Sequence, residues 1–303
     1  MSNLLITGQT GFVGRHVLNH LEARHSPGWQ LIPPAPYDLM DPTSLDNWLA
    51  GQCPDAVLHL AGQTFVPAAI RDPATTLQIN LLGTLNLLQA LKRRGFNGTF
   101  LYVSSGDVYG QVDIDRLPIT EALLPRPRNP YAVSKLAAEH LCLQWSISEP
   151  DWRILVARPF NHIGPGQTDN FLIPDMAHQL VRIRRGQQPP ALQVGDVDVS
   201  RDFLDVRDVV SAYFALLENG RSGEIYNVCS GTERIIRDLI MQMADLSELE
   251  INLNQDPARL RRAEQRRVAG SCRKLQAETG WQASITTTTT LNDVLGDWDK
   301  RDS

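Results

Sequence analysis

Apolar and polar positions along this chain follow two rhythms. Short apolar runs recur at Asn3–Thr7, Trp29–Ile32, Ala56–Leu60, Thr99–Ser104, Arg153–Arg158 and Ile225–Val228. Bounded by turn residues, such runs predict strands buried on both faces. Between them lie segments with apolar residues three and four apart: Phe12 through Leu21, Ser44–Leu49, about Ala74 to Arg94, the stretch opened by Asn129-Pro130, and Asp205–Leu217. That spacing predicts amphipathic helices. Strands alternating with helices predict an α/β fold, a Rossmann-type doubly wound parallel sheet that receives ligands at the C-terminal ends of its strands.

After Arg158 the pattern changes. Arg158-Pro159-Phe160-Asn161-His162-Ile163-Gly164-Pro165-Gly166 reads as a polar, turn-rich loop that continues neither strand nor helix. Beyond it the sequence predicts a helix at about Ile173–Arg185, strand-like pieces at Leu192–Val194 and Asp202–Leu204, and an amphipathic helix from Glu233 onward. A further element is read at Leu275–Trp281, and the threonine run Thr286–Thr290 reads as the lead-in to a helix.

Candidate chemistry falls where the strands end. The first strand runs into Gly8-Gln9-Thr10-Gly11-Phe12-Val13-Gly14 and then a helix. In a dinucleotide site Gly8 permits the tight turn, Gly11 admits a pyrophosphate to the backbone, and Gly14 lets the helix pack on the strand. The helix N-terminus then offers free N–H groups and the positive end of its dipole to the phosphates. The Thr99 strand ends in Ser104-Ser105-Gly106-Asp107, which puts a serine hydroxyl at the same edge of the sheet. On the helix started by Asn129-Pro130, Tyr131 and Lys135 are four residues apart and share a face. A phenol titrates near ~10, and an ammonium one turn away favours the phenolate. Singly each of these signals is common; together they give a nicotinamide site with a proton donor beside it.

Composition narrows the class without changing it. A 303-residue chain with 42% hydrophobic and 21% charged residues can build one large core or two modest ones. A net charge of −5 gives no reason to expect nucleic acid or an acidic membrane surface as partner. The cysteines Cys53, Cys142, Cys229 and Cys272 form no Cys-x-x-Cys pair and read as reduced thiols, and no metal is called for. Nothing reads as a signal peptide or a membrane span, so the expected compartment is the cytoplasm.

Taken together the chain resembles the extended short-chain dehydrogenases/reductases that act on sugar nucleotides. The residues that carry this are Gly8/Gly11/Gly14, Ser105, Tyr131 with Lys135, Asn161, and Arg201-Asp202-Phe203-Leu204-Asp205. Within that family, Arg158–Gln167 and Asp256-Pro257-Ala258-Arg259-Leu260-Arg261 are most similar to the reductases of GDP-4-keto-6-deoxy-D-mannose, which form GDP-D-rhamnose. The resemblance implies that Tyr131 protonates the C4 oxygen as hydride arrives while Ser105 shares that hydrogen bond. Lys135 would hold the cofactor ribose and lower the tyrosine pKa. Gly8, Gly11, Phe12, Val13, Gly14, Asp41 and Leu60 complete the expected cofactor set. Asn161 and Arg201 would bind the substrate diphosphate, and Arg261 with Glu264 the diphosphate and nucleotide ribose. Arg262, Arg266 and Arg267 read as a solvated face, His162 as structural, and Asn80 as a partner of backbone groups.

The implied division is residues 1–160 with about 206–229 for NAD(P), and 161–205 with 230–303 for the sugar nucleotide. Related dehydratases carry a glutamate base two residues after the catalytic hydroxyl and, in some, an acid just before it. Here those places hold Asp107 and Gly106, which argues for reduction, with Asp107 kept in the catalytic set. The second strand ends in Ile32-Pro33-Pro34-Ala35-Pro36, without the acid that would select NADH or an arginine for a 2′-phosphate. The expectation is NADPH mildly preferred and NADH usable. The family commonly pairs the Ala74–Arg94 and Tyr131 helices across a homodimer. The competing readings are a sugar-nucleotide 4,6-dehydratase or epimerase, a reductase that forms GDP-6-deoxy-D-talose, and a nucleotide sensor without catalysis.

Overall fold

The computed structural model describes residues 1–302 except 24, 27 and 260–264. Its strands, in chain order, are β1 (Ser2–Thr7), β2 (Trp29–Leu31), β3 (Ala56–His59), β4 (Thr99–Val103), β5 (Arg153–Pro159) and β6 (Asn161–Ile163). Then come β7 (Ala191–Val194), β8 (Ser200–Asp205), β9 (Ile225–Val228), β10 (Glu233–Ile235) and β11 (Asn252–Gln255). The helices are α1 (Phe12–Glu22), α2 (Pro42–Trp48), α3 (Val66–Arg71), α4 (Pro73–Leu77), α5 (Gly83–Arg93) and α6 (Pro130–Ser148). They continue with α7 (Leu172–Arg184), α8 (Val206–Asn219), α9 (Ile236–Leu246), α10 (Arg273–Thr279) and α11 (Thr287–Arg301). Among the described residues no helix is long and apolar enough to cross a membrane.

The main sheet has six strands in the order β2-β1-β3-β4-β5-β9, and every pair in it is parallel. Its apolar runs are continuous because side chains alternate between two cores. Leu4 and Ile6 face one and Leu5 the other; Leu155 and Ala157 face one and Ile154 and Val156 the other. Each such side chain, fully buried, contributes on the order of 1.5–3 kcal/mol. Val17 of α1 and Tyr213 and Phe214 of α8 cover the first face; Leu87 and Leu88 of α5 and Cys142 of α6 cover the second. The strand order reverses between β1 and β3, which opens a crevice at their C-terminal ends.

A third core joins α7, α9 and α11 to two small sheets, β10-β8-β6 and β11-β7. Thr286 begins α11 as its cap, accepting from Thr289 N–H at 3.2 Å, and Thr290 Oγ1 donates to Asp205 at 2.7 Å. The threonine run is thus a helix start fastened to the end of β8.

Four features differ from the sequence reading. Residues 158–166 are not all loop: β5 runs through Pro159, and Asn161–Ile163 is a strand parallel to β8, with Asn161 opposite Phe203. Glu233–Ile235 is a strand antiparallel to β8, so the helix begins only at Ile236. Asn252–Gln255 pairs with β7, although its polar side chains give no strand signal. The helix read from Ala74 to Arg94 starts at Pro73 and passes through a π turn at Gln78–Leu82. That extra residue accompanies an inward-facing Asn80, which accepts from Gln63 N–H at 2.8 Å and donates to Gln63 O at 2.9 Å and Ser134 Oγ at 2.8 Å.

Candidate active site

The glycine turn is fixed by close backbone approach. Gly8 has φ +75°, and a Cβ there would lie 2.9 Å from Ala61 N. A Cβ at Gly14 would fall 2.2 Å from Gly8 O, so only glycine lets α1 pack this close to β1. Gly11 caps α1 without a side chain, which leaves the first-turn N–H groups to meet an anion. This cradle at the switch point fits a pyrophosphate. Phe12 stacks on His162 with ring centroids 6.1 Å apart, Val13 packs on the first core, and Leu60 lies half-buried beside the crevice. Asp41 caps α2, its Oδ1 accepting from Thr43 N–H at 2.9 Å.

The candidate catalytic residues converge from the end of β4 and the start of α6. Ser105 caps the Gly106–Tyr109 turn, its Oγ accepting from Asp107 N–H at 3.2 Å. Asn129 caps α6 with Pro130 in its first turn, which starts the helix where Tyr131 faces the crevice. The Ser105 hydroxyl lies close enough to Tyr131 to act on its titration. Asp107 reaches the same place, its Oδ2 accepting from Asn129 Nδ2 at 3.3 Å.

Burial drives the Tyr131 pKa well above the ordinary phenol range; the Ser105 hydrogen bond opposes this and the Asp107 charge adds to it. Burial lowers Lys135 to about 8, against the pull of Cys142 and Glu139. The Lys135 ammonium sits 4.8 Å from the centroid of the Tyr102 ring. The Ser105 hydroxyl, on the neighbouring turn, partly offsets the effect of burial at Tyr131. The set can hold a proton on a phenol inside a desolvated crevice and pass it to an oxygen placed between Ser105 and Tyr131.

On the facing side, Asn161 opens β6 and is exposed, while Arg201 lies on β8 with Nη1 donating to Ser200 O at 2.8 Å. Directly opposite Arg201 on β10 stands Arg234, which the sequence reading did not single out. Cross-strand neighbours on one face lie close enough for both charges to act on one anion. Arg261 and Glu264 lie outside the described residues.

Other members of the site carry no local sequence signal. Tyr37, stacked on Trp48 at 4.2 Å, accepts from Gly8 N–H at 2.7 Å just beyond the second strand, near the place of the acid that would select NADH. His59 bridges Thr7 Oγ1 at 2.7 Å and Thr84 Oγ1 at 3.0 Å beneath the glycine turn. A Cβ on Gly106 would meet the Phe160 ring at 3.1 Å, so a side chain before Asp107 requires the ring to shift by a few tenths of an ångström.

Known proteins share this arrangement. A profile of the NAD dependent epimerase/dehydratase family matches residues 4–229. GDP-6-deoxy-D-mannose reductase of Pseudomonas aeruginosa is 62% identical over 98% of this chain and 97% of its own. GDP-6-deoxy-D-talose 4-dehydrogenase of Aggregatibacter actinomycetemcomitans is 29% identical over 90% of this chain and 89% of its own. The solved structure of RMD from Pseudomonas aeruginosa complexed with NADPH superposes with a TM-score of 0.96 at 60% identity, covering 99% of this chain and 100% of that one. The chain belongs to the NAD dependent epimerase/dehydratase family.

Proposed function

We propose that this chain reduces the C4 ketone of GDP-4-keto-6-deoxy-D-mannose to GDP-D-rhamnose, with NADPH as its preferred reductant. Support comes from the 62% identity to a GDP-6-deoxy-D-mannose reductase and from the NADPH held by the superposable structure. The observation that carries reduction over dehydration is at the turn before Tyr131. Asp107 is a methylene shorter than a dehydratase glutamate, and a side chain at position 106 would press on the Phe160 ring, its Cβ 3.1 Å away.

Bound nicotinamide supplies the hydride. The chain does the rest: Tyr131 gives its proton to the C4 oxygen, Ser105 shares the hydrogen bond, and Lys135 holds the ribose hydroxyls. Gly8, Gly11, Phe12, Val13 and Gly14 seat the pyrophosphate, with Leu60 along the crevice. Asn161 and Arg201 take the substrate diphosphate, and Arg234 adds a second charge opposite Arg201. In this reading Arg261 and Glu264 complete the nucleotide site. We divide the chain at the sheet boundaries, with 1–160 and 206–229 binding the cofactor and 161–205 and 230–303 binding the sugar nucleotide. We further assign it to the cytoplasm and to a homodimer built on α6 and on α5 with the π turn before it, where Val133 and Leu82 are exposed at 42% and 44%.

The test is stoichiometric loss of NADPH absorbance with GDP-4-keto-6-deoxymannose, and no conversion of GDP-mannose. Turnover of GDP-mannose without net NADPH consumption would overturn the reading and make Asp107 the base. Product NMR separates rhamnose from its C4 epimer, 6-deoxytalose.

A further inference from the structure

Tyr131, Lys135 and Glu139 follow one another at four-residue spacing on α6 and so line one face of it. Glu139 is fully buried, and Arg158 of β5 is 2% exposed. Arg158 grips Glu139 with both arms of its fork, Nε donating to Oε2 at 3.0 Å and Nη2 to Oε1 at 2.5 Å. The third nitrogen, Nη1, has no hydrogen-bond partner among the described residues. The guanidinium instead lies over Tyr109, 4.7 Å from its ring centroid. Tyr109 is the last residue of the turn that Ser105 caps, and its hydroxyl donates to Asn227 Oδ1 at 2.7 Å.

A buried ion pair is a poor source of stability, because desolvation offsets most of the attraction and apolar replacements are often as good. What this pair supplies is placement. We propose that Arg158 and Glu139 are positioning residues for the reduction, with Arg158 joining the helix of Tyr131 and Lys135 to the turn of Ser105. This rests on Tyr131 being the proton donor and Ser105 its partner. An error in the distance between α6 and the turn would separate the Tyr131 and Ser105 hydroxyls, which come from different elements and have to meet on one oxygen.

The pair also sets the charge around Lys135. The groups that face its ammonium are Glu139 and Cys142 of α6, Tyr102 of β4 and His59 of β3. Around Tyr131 stand Ser105 and Asp107 of the turn and Tyr213 of α8. Glu139 is the carboxylate in the first set, and Arg158 holds it in place.

Two variants test the assignment. In the first, Glu139→Leu is combined with Arg158→Met, which removes both charges at similar volume. It should fold, keep its NADPH affinity by calorimetry within about threefold, keep its KM, and lose ~10-fold or more in kcat. In the second, Glu139→Gln, the titration of Lys135 is followed by ¹³Cε NMR in the cofactor-free chain. The sequence has only Lys92, Lys135, Lys274 and Lys300, and Lys135→Met identifies the signal. Its midpoint should fall below that of the parent chain by about one unit. A folded double variant with kcat within about twofold of the parent overturns the proposal, as does an unmoved Lys135 midpoint. If Glu139→Gln does not fold, the double variant decides alone. The NMR arm needs neither substrate nor cofactor, so failure of the reductase reading is seen separately, as a parent chain that consumes no NADPH.

Discussion

Tyr131 is 9% exposed and burial raises its pKa, so as the proposed donor it would release its proton only to a developing alkoxide. Tyr131→Phe should lower kcat by ~10²–10⁴-fold and leave NADPH affinity nearly unchanged in calorimetry. A variant within a few-fold of the parent would remove Tyr131 from the chemistry. His59 makes a second, independent prediction. Burial, with the Lys135 charge, lowers its pKa from 6.5 to about 3. Between those values the unfolded chain binds a proton that the folded chain refuses, so stability is lost as pH falls from 6.5 toward 3. The urea midpoint at ~pH 5 should lie below that at ~pH 7, and His59→Gln should flatten the slope between them. An equal slope in the variant would assign the acid loss to other groups.

Among the elements, the glycine turn tolerates least. In Gly14→Ala the new methyl meets Gly8 O at 2.2 Å and Gln9 backbone atoms at 2.7 Å, neither of which can swing aside. We expect a loss of roughly 1–3 kcal/mol in thermal or urea unfolding and a much weaker NADPH isotherm. Gly28→Ala, with nothing within 4 Å, is the matched control and should be silent. This turn was legible in the sequence because strand, glycines and helix are contiguous. So were the main-sheet strands, whose apolar runs report burial on two faces. β6, β10 and β11 were not, since each is a strand only by pairing with a distant partner, β8 or β7. The same holds for single residues. Ser105, Tyr131 and Lys135 stand in a recognisable order, whereas Tyr37 reaches Gly8 and Arg158 reaches Glu139 only after the chain has folded.

At the scale of the molecule, Asp202 ties the small sheets to the main one. Its carboxylate accepts from Ser230 N–H at 2.8 Å, Ser230 Oγ at 2.7 Å, Gly231 N–H at 3.0 Å and Gly270 N–H at 3.1 Å. Asp202→Ala strands these donors away from water, at a cost of about 3–5 kcal/mol. The denaturant midpoint should fall accordingly, and GDP binding should weaken more than NADPH binding, because Arg201 is the adjacent residue on β8. A loss confined to NADPH would contradict this linkage.

The placement of β9 has a consequence for how such proteins can be recombined. β9 completes the edge of the main sheet against β5, yet it arrives only after the chain has left that sheet to build β6, α7, β7 and β8. A cut at residue 160 would strip Tyr213, Phe214 and Tyr226 from the first core and leave the Val156–Pro159 edge of β5 unpaired. Half-chains joined there should aggregate, because an open edge and a halved core are exposed together. On the proposed division, exchange between relatives would have to move two separate inserts, 161–205 and the segment after β9, into an unbroken host. A gene for a new sugar-nucleotide preference would in that sense be spliced, with the proposed cofactor-binding sequence as its frame.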